Sequence, residues 1–210
     1  MIRVLIADDH VIVRKGMIQV LSSADDITVA GEANDGYEAM DRIKAGKFDV
    51  VVLDIALPGR NGLETLKHIK LEYPDLPVLI LSMYPEEHYA VRVLKAGGAG
   101  YITKENASRE LADAIRLAAG GRKYITPTLA EKLAGELHFA GGRLPHENLS
   151  DREFNILCLI AKGKSNTEIA DDLALSIKTV ATYRSRLLEK MGMKSNAELT
   201  HYAVQNRLVE

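Results

Sequence analysis

The chain has one cysteine among its 210 residues, so no disulfide can close within it, and this usage suits a reducing compartment. Cys158 sits in the apolar run Ile156-Leu157-Cys158-Leu159-Ile160 and reads as a small buried hydrophobe, not a redox centre. Long hydrophobic runs are also missing. Nothing approaches the roughly 18 apolar residues that span a bilayer. The N-terminus opens on a strand pattern, where a secretion signal would need a charged segment and then an apolar one. A cytoplasmic protein without a membrane partner is the expectation. Nor is there an excess of one charge. The net charge is −2, with 27% charged and 47% hydrophobic residues, the balance of a globular chain with a real core and not of a disordered one. That average hides a mild asymmetry: residues 1–121 carry 14 basic and 18 acidic side chains, residues 149–210 carry 9 basic and 8 acidic. The acidic excess lies in the first part, which leaves the second the better match to a polyanion.

Length allows one large domain or two small ones, and patterning decides between them. Five short apolar runs, Val4 to Ala7, Ile27 to Ala30, Val50 to Leu53, Val78 to Leu81 and Tyr101-Ile102, alternate with amphipathic stretches of helical length. Those stretches cover about 11–22, 37–45, 62–72, 86–96 and 107–119. Strand followed by helix, five times over, predicts an α/β domain at 1–121: a five-stranded, doubly wound parallel sheet with both faces covered. Residues 122–148 read as a linker containing one helix at about 127–138, opened by Thr126 as cap and Pro127 at its first position. Within it 140–146, with two glycines and a proline, reads as flexible. From Ser150 the pattern is purely helical, with helices expected at 151–162, 166–174, 177–191 and 196–206. Ser150, Ser165 and Ser195 each precede a glutamate by three residues, the spacing of a capping box. Residues 149–210 are thus a small all-α, four-helix domain.

Chemistry is expected at the carboxyl ends of parallel strands, which converge on one crevice. Here those ends are Asp8-Asp9, Asp54, Ser82 and Thr103-Lys104. Three carboxylates brought together repel one another unless a cation lies between them, and Mg²⁺ is the hard ion that suits oxygen donors. A lysine and a hydroxyl facing the same crevice suit a transferred phosphoryl group, with Asp54 as the nucleophile. His10 beside two hard carboxylates does not make a zinc set and reads as a loop or helix-start residue. The glycines of Gly97-Gly98-Ala99-Gly100 do not form a dinucleotide fingerprint and need only a tight turn.

With these residues in place, 1–121 resembles a response-regulator receiver domain, a flavodoxin-like fold. The resemblance implies Asp54 as phosphoacceptor, Asp8, Asp9 and Asp54 with the backbone carbonyl of Ala56 as Mg²⁺ ligands, and Ser82, Tyr101 and Lys104 as phosphoryl-binding and switch residues. Leu57-Pro58-Gly59 and Asn61-Gly62-Leu63 match the loop after the phosphoacceptor. A sensor histidine kinase is the implied phosphodonor. Tyr101 is either the switch aromatic, turning inward on phosphorylation, or an ordinary half-buried strand tyrosine. Tyr84 is expected to shield the acyl phosphate from water.

Residues from about 149 to 210 resemble the LuxR-type helix-turn-helix of the NarL/FixJ regulators, through Leu149-Ser150-Asp151-Arg152-Glu153, Gly163 to Ala170 and Ser176-Ile177-Lys178-Thr179-Val180. Helix 166–174 would be the scaffold and 177–191 the recognition helix in the major groove of double-stranded DNA. At 100° per residue Val180, Leu187, Leu188 and Met191 fall on one side and Lys178, Thr182, Ser185 and Arg186 on the other. The N-terminal part should read bases, Lys178, Thr179 and Arg186 should meet phosphates, and Tyr183 backbone or sugar. Arg184 faces either DNA or its own domain. Where the family often has a lysine and a histidine, this chain has Ala181 and Tyr183, which points to a different site preference. Helix 196–206 places Leu199, Tyr202, Ala203 and Asn206 together, as core or as a dimer contact. A homodimer when phosphorylated is implied, and RNA polymerase is a candidate partner. Two rivals follow from the same residues. An Mg²⁺-dependent phosphatase with an aspartate nucleophile would need an acid two residues on, and Ala56 stands there. A regulator that binds DNA constitutively would not need the full acidic crevice. The chain is therefore expected to be no enzyme beyond its own dephosphorylation.

Overall fold

The computed structural model describes residues 1–138, 144–206, 208 and 209. They divide into two compact units, Met1–His138 and Phe139–Glu210. In the first, the strands β1 (Ile2–Ala7), β2 (Ile27–Ala33), β3 (Val50–Asp54), β4 (Val78–Ser82) and β5 (Gly100–Thr103) form one parallel sheet in the order β2-β1-β3-β4-β5. The helices α1 (Val11–Leu21), α2 (Gly36–Ala45), α3 (Gly62–Glu72), α4 (Glu86–Lys95) and α5 (Ala107–Ala119) follow the strands in turn. Side chains alternate across a sheet. Val4, Ile6, Val50, Val52, Leu79 and Leu81 join Leu21, Leu111 and Ile115 in one core, whereas Leu5, Val51, Leu53 and Ile80 between them are equally buried on the other face. Two buried faces explain why these strands read as continuous Val/Ile/Leu runs.

β2 runs three residues past the expected Ala30, because the register shifts between Val4 and Leu5 and lets Gly31, Glu32 and Ala33 pair with Leu5, Ile6 and Ala7. The shift admits a glycine and a glutamate that no apolar pattern would include. Helix α6 (Pro127–His138) lies against α4 and belongs to the first unit. Its cap is the expected one, with Thr126 Oγ1 accepting from the Leu129 N–H. Ahead of it, Tyr124 donates its N–H to the Ala99 carbonyl and bridges to Gly100, extending the sheet beyond β5. A Cβ on Gly100 would come within 2.8 Å of Tyr124.

The second unit is helical: α7 (Asp151–Ala161), α8 (Asn166–Asp172), α9 (Ile177–Met191) and α10 (Asn196–Gln205), preceded by a 3-10 turn at Pro145–Asn148. That turn falls where a flexible stretch was expected. The rest of that stretch, 140–143, lies outside the described residues. Ser150 and Ser165 form full capping boxes with Glu153 and Glu168. The third differs. Ser195 accepts from the Glu198 N–H, but Glu198 reaches past the cap to the Lys194 N–H, because Ser195 has φ −147° where the other two serines sit near −61° and −72°. Phe154, Ile156, Leu157, Ile169, Val180, Leu187, Leu199 and Ala203 are buried, and Cys158 is among them as expected.

Candidate functional site

Strand register assembles the crevice. Ala7 lies opposite Leu53, so Asp8 follows β1 beside Asp54 at the end of β3. Asp54 lies opposite Leu81 and Ser82 opposite Thr103, which brings Ser82 and Lys104 to the same edge, and the Lys104 N–H donates to the Ser82 carbonyl. The loop after Asp54 turns back tightly. Ala56 donates its N–H to Asp54 Oδ1 at 3.2 Å, and Gly62, the first residue of α3, packs so close that a Cβ would lie 2.1 Å from the Asp54 carbonyl oxygen. Only glycine permits that approach.

Asp8 and Asp54 are buried, and Lys104 Nζ lies between them, 2.7 Å from Asp8 Oδ2 and 2.8 Å from Asp54 Oδ2. Burial pushes the Asp54 carboxyl up, with Asp8 adding to the rise and Lys104 opposing it. Burial would lower the Lys104 ammonium, but the two carboxylates hold it above its ordinary value. Asp8 and Asp54 share the one ammonium, and with Asp9 in the same cluster three carboxylates stand against one lysine, a deficit of two positive charges that a divalent cation would fill. Asp8 Oδ2 is fully buried against the Lys104 ammonium. Donor atoms of Asp8, Asp9, His10 and Asp54 all lie within 4.8 Å of one another. An oxygen-rich set whose carboxylates outnumber the one ammonium fits Mg²⁺.

His10, passed over in the sequence, therefore stands inside the acidic cluster. Its backbone N–H donates to Asp8 Oδ1 and its ring nitrogen lies 2.7 Å from Asp9 Oδ1, although the side chain is 64% exposed. It also begins α1, as expected, but without a capping bond.

The hydroxyl side of the crevice is a chain of hydrogen bonds. Ser82 Oγ accepts from the Tyr84 N–H at 3.0 Å, and the Tyr101 hydroxyl donates to the Tyr84 carbonyl at 2.7 Å. Tyr101 is 1% exposed, so its ring is already inward here, and burial raises its hydroxyl well above the ordinary range. The inward position is held by an acceptor in the loop, the Tyr84 carbonyl. The Tyr84 ring lies against the buried ring of Tyr89, with centroids 5.2 Å apart. Glu86, two residues beyond Tyr84, accepts from the Thr126 hydroxyl at the cap of α6. This link between the crevice loop and α6 had no signature in the sequence, since the two residues are 40 apart.

In the second unit α9 buries Val180, Leu187 and Met191, leaves Leu188 half-buried, and exposes Lys178, Thr182, Ser185 and Arg186. The Ser176 side chain caps the helix through the Thr179 N–H and also meets the Thr179 hydroxyl at 2.7 Å. Tyr183 is half-buried. Arg184 faces its own domain, donating to Asn196 Oδ1 at 2.6 Å. On α10, Leu199 and Ala203 are core, while the Tyr202 hydroxyl meets His146 Nδ1 at 2.8 Å and Asn206 donates to the Tyr202 carbonyl.

Residues 4–116 match the family described as response regulator receiver domain, and residues 147–203 match bacterial regulatory proteins of the luxR family. The chain is 38% identical to the transcriptional regulatory protein LiaR of Bacillus subtilis, with both chains covered in full. The chain belongs to the NarL/FixJ-type response regulators. It is also 38% identical to the response regulator GacA of Pseudomonas protegens, covering 100% of this chain and 99% of that one. Among solved structures, RcsB of Salmonella enterica serovar Typhimurium bound to promoter rprA with the phosphomimetic BeF3⁻ superposes with a TM-score of 0.65, at 27% identity over 96% of this chain and 98% of that one. This response regulator thus pairs a receiver domain with a LuxR-type DNA-binding domain, and its relatives are transcriptional regulators. Among its described residues no helix is long and apolar enough to cross a membrane.

Proposed function

We propose that this response regulator accepts a phosphoryl group on Asp54 from the phosphohistidine of a sensor kinase and that the modified chain dimerises and binds DNA. The observation that carries the reading is Lys104 Nζ held between Asp8 and Asp54 in a crevice short of two positive charges. Asp8, Asp9 and Asp54, with the Ala56 carbonyl, would hold Mg²⁺, which when bound supplies the charge that offsets the phosphoryl oxygens. The Asp54 carboxylate forms the new O–P bond as the P–N bond of phosphohistidine breaks, and the imidazole keeps the electron pair. Lys104 then pairs with a phosphoryl oxygen and the Ser82 hydroxyl donates to another. To do so Ser82 must draw the β4–α4 loop with it, because the Tyr84 N–H is bonded to its oxygen. Tyr101, bonded to the Tyr84 carbonyl, follows it, and Glu86 carries the motion to Thr126 and α6.

Residues 1–121 are the receiver in this reading, 122–148 the connection and 149–210 the DNA-binding domain. The groove residues are Lys178, Thr179, Thr182, Tyr183, Ser185 and Arg186, and two half-sites call for two copies of α9. RcsB dimers bound to DNA are among the solved relatives, which supports this arrangement. RNA polymerase is a further partner of a promoter-bound regulator, and the location that goes with these partners is the cytoplasm. The chain is no enzyme on this view beyond hydrolysis of its own acyl phosphate. Incubation of the full chain with Mg²⁺ and acetyl phosphate should give one phosphoryl label per chain, absent from Asp54→Ala. Label that persists in Asp54→Ala contradicts the assignment.

A further inference from the structure

The DNA-facing side of α9 is less polar than its composition. Thr182 Oγ1 donates to the Lys178 carbonyl at 3.0 Å and Ser185 Oγ to the Ala181 carbonyl at 3.1 Å, each a bond back to the preceding turn. The Thr179 hydroxyl is engaged by Ser176. A threonine whose hydroxyl is tied to its own helix offers its methyl group outward. Beside that methyl stand Ile177, 52% exposed at the first position of the helix, and half-exposed Ala181. Residues four apart are neighbours on a helix, so Ile177 with Ala181 and Lys178 with Thr182 make two adjacent rows. One row is wholly apolar, and the other pairs a cation with a methyl.

The major groove offers one apolar group, the 5-methyl of thymine. We infer that Ile177, Ala181 and Thr182 read thymine methyl groups, so that the preferred half-site carries thymine beneath the first two turns of α9. This rests on the reading that α9 enters the major groove, with Lys178 and Arg186 supplying phosphate contacts. It also gives a positive content to Ala181: a methyl where a lysine would put a guanine-seeking ammonium.

The test selects duplexes from a random pool with the full chain treated with phosphodonor, then resynthesises the winner with deoxyuridine replacing thymidine at one position at a time. Uracil keeps every hydrogen-bonding group of thymine and lacks only the methyl. One or more positions per half-site should lose about fourfold in affinity, the equivalent of one buried methyl. Ile177→Ala should erase the distinction between thymine and uracil at one such position. Thr182→Ser, which keeps the hydroxyl, should erase it at another, whereas Thr182→Val should still distinguish the two bases. Ala181→Lys, re-selected, should recover guanine where thymine stood. Uracil tolerated at every position of a tightly bound duplex overturns the methyl reading and leaves groove binding intact. Selection that enriches no duplex overturns the groove reading itself, and the inference with it.

Discussion

The crevice of the first unit and the exposed face of α9 are built on opposite terms. In the crevice, strand register delivers Asp8, Asp54, Ser82 and Lys104 to one edge, where the first three are buried, Lys104 is half-buried, and each is already engaged with another. Fold and chemistry there are the same set of constraints. On α9, packing fixes Val180, Leu187 and Met191 and leaves Lys178, Thr182, Ser185 and Arg186 without tertiary demands on their identity. A buried site ties its chemistry to the fold, whereas an exposed helix face can change without unfolding the domain.

The sharpest break of this contrast lies at Lys104. Lys104→Met leaves two buried carboxylates without their ammonium, at an expected cost of about 3–5 kcal/mol in metal-free urea unfolding. Added Mg²⁺ should recover part of the loss. Asp54→Asn should act in the opposite sense and stabilise the metal-free chain at neutral pH. Burial raises the Asp54 carboxyl above 3.8, so the folded chain keeps that proton at a pH where the unfolded chain has lost it. The ionised form therefore costs stability above the folded pKa, and the cost is relieved as pH falls through that pKa toward 3.8. The gap between the two chains should accordingly close over this acid window, measured by denaturant midpoint without metal. A gap that widened there would reverse the electrostatics of the crevice.

The exposed face should answer to salt and not to stability. Lys178→Ala is expected to weaken DNA binding and flatten the dependence of log Kd on log salt by about one, with the unfolding midpoint unmoved. The smallest effect is a control inside the second unit. Ser150→Ala removes the capping bond of α7 and should cost about 1 kcal/mol in the helical unit, with no change in Mg²⁺-dependent stabilisation of the first.

How far the sequence could be read follows the same division. Every strand and helix of the first unit was legible because a sheet buried on both faces writes continuous apolar runs, and Asp8, Asp9, Asp54, Ser82 and Lys104 stood at their ends. What escaped depended on contacts between distant segments. The extra length of β2 comes from a register shift, and the Pro145–Asn148 turn sits in a stretch whose glycines and proline suggested none. The half-formed box at Ser195 follows from one backbone angle. The inward Tyr101 and the Glu86–Thr126 bond connect residues 17 and 40 positions apart. On α9 the two faces followed from helical period alone, but the turning of Thr182 and Ser185 hydroxyls back to the helix did not. That turning decides what the groove would meet.

If chemistry at Asp54 governs the surface of α9, as proposed, affinity for a selected duplex with and without acetyl phosphate and Mg²⁺ reports it directly. The wild-type chain should bind more tightly after phosphodonor treatment, and Asp54→Ala should bind equally in both conditions. Equal binding by the wild type in both conditions, or a phosphodonor response that survives in Asp54→Ala, would contradict the account.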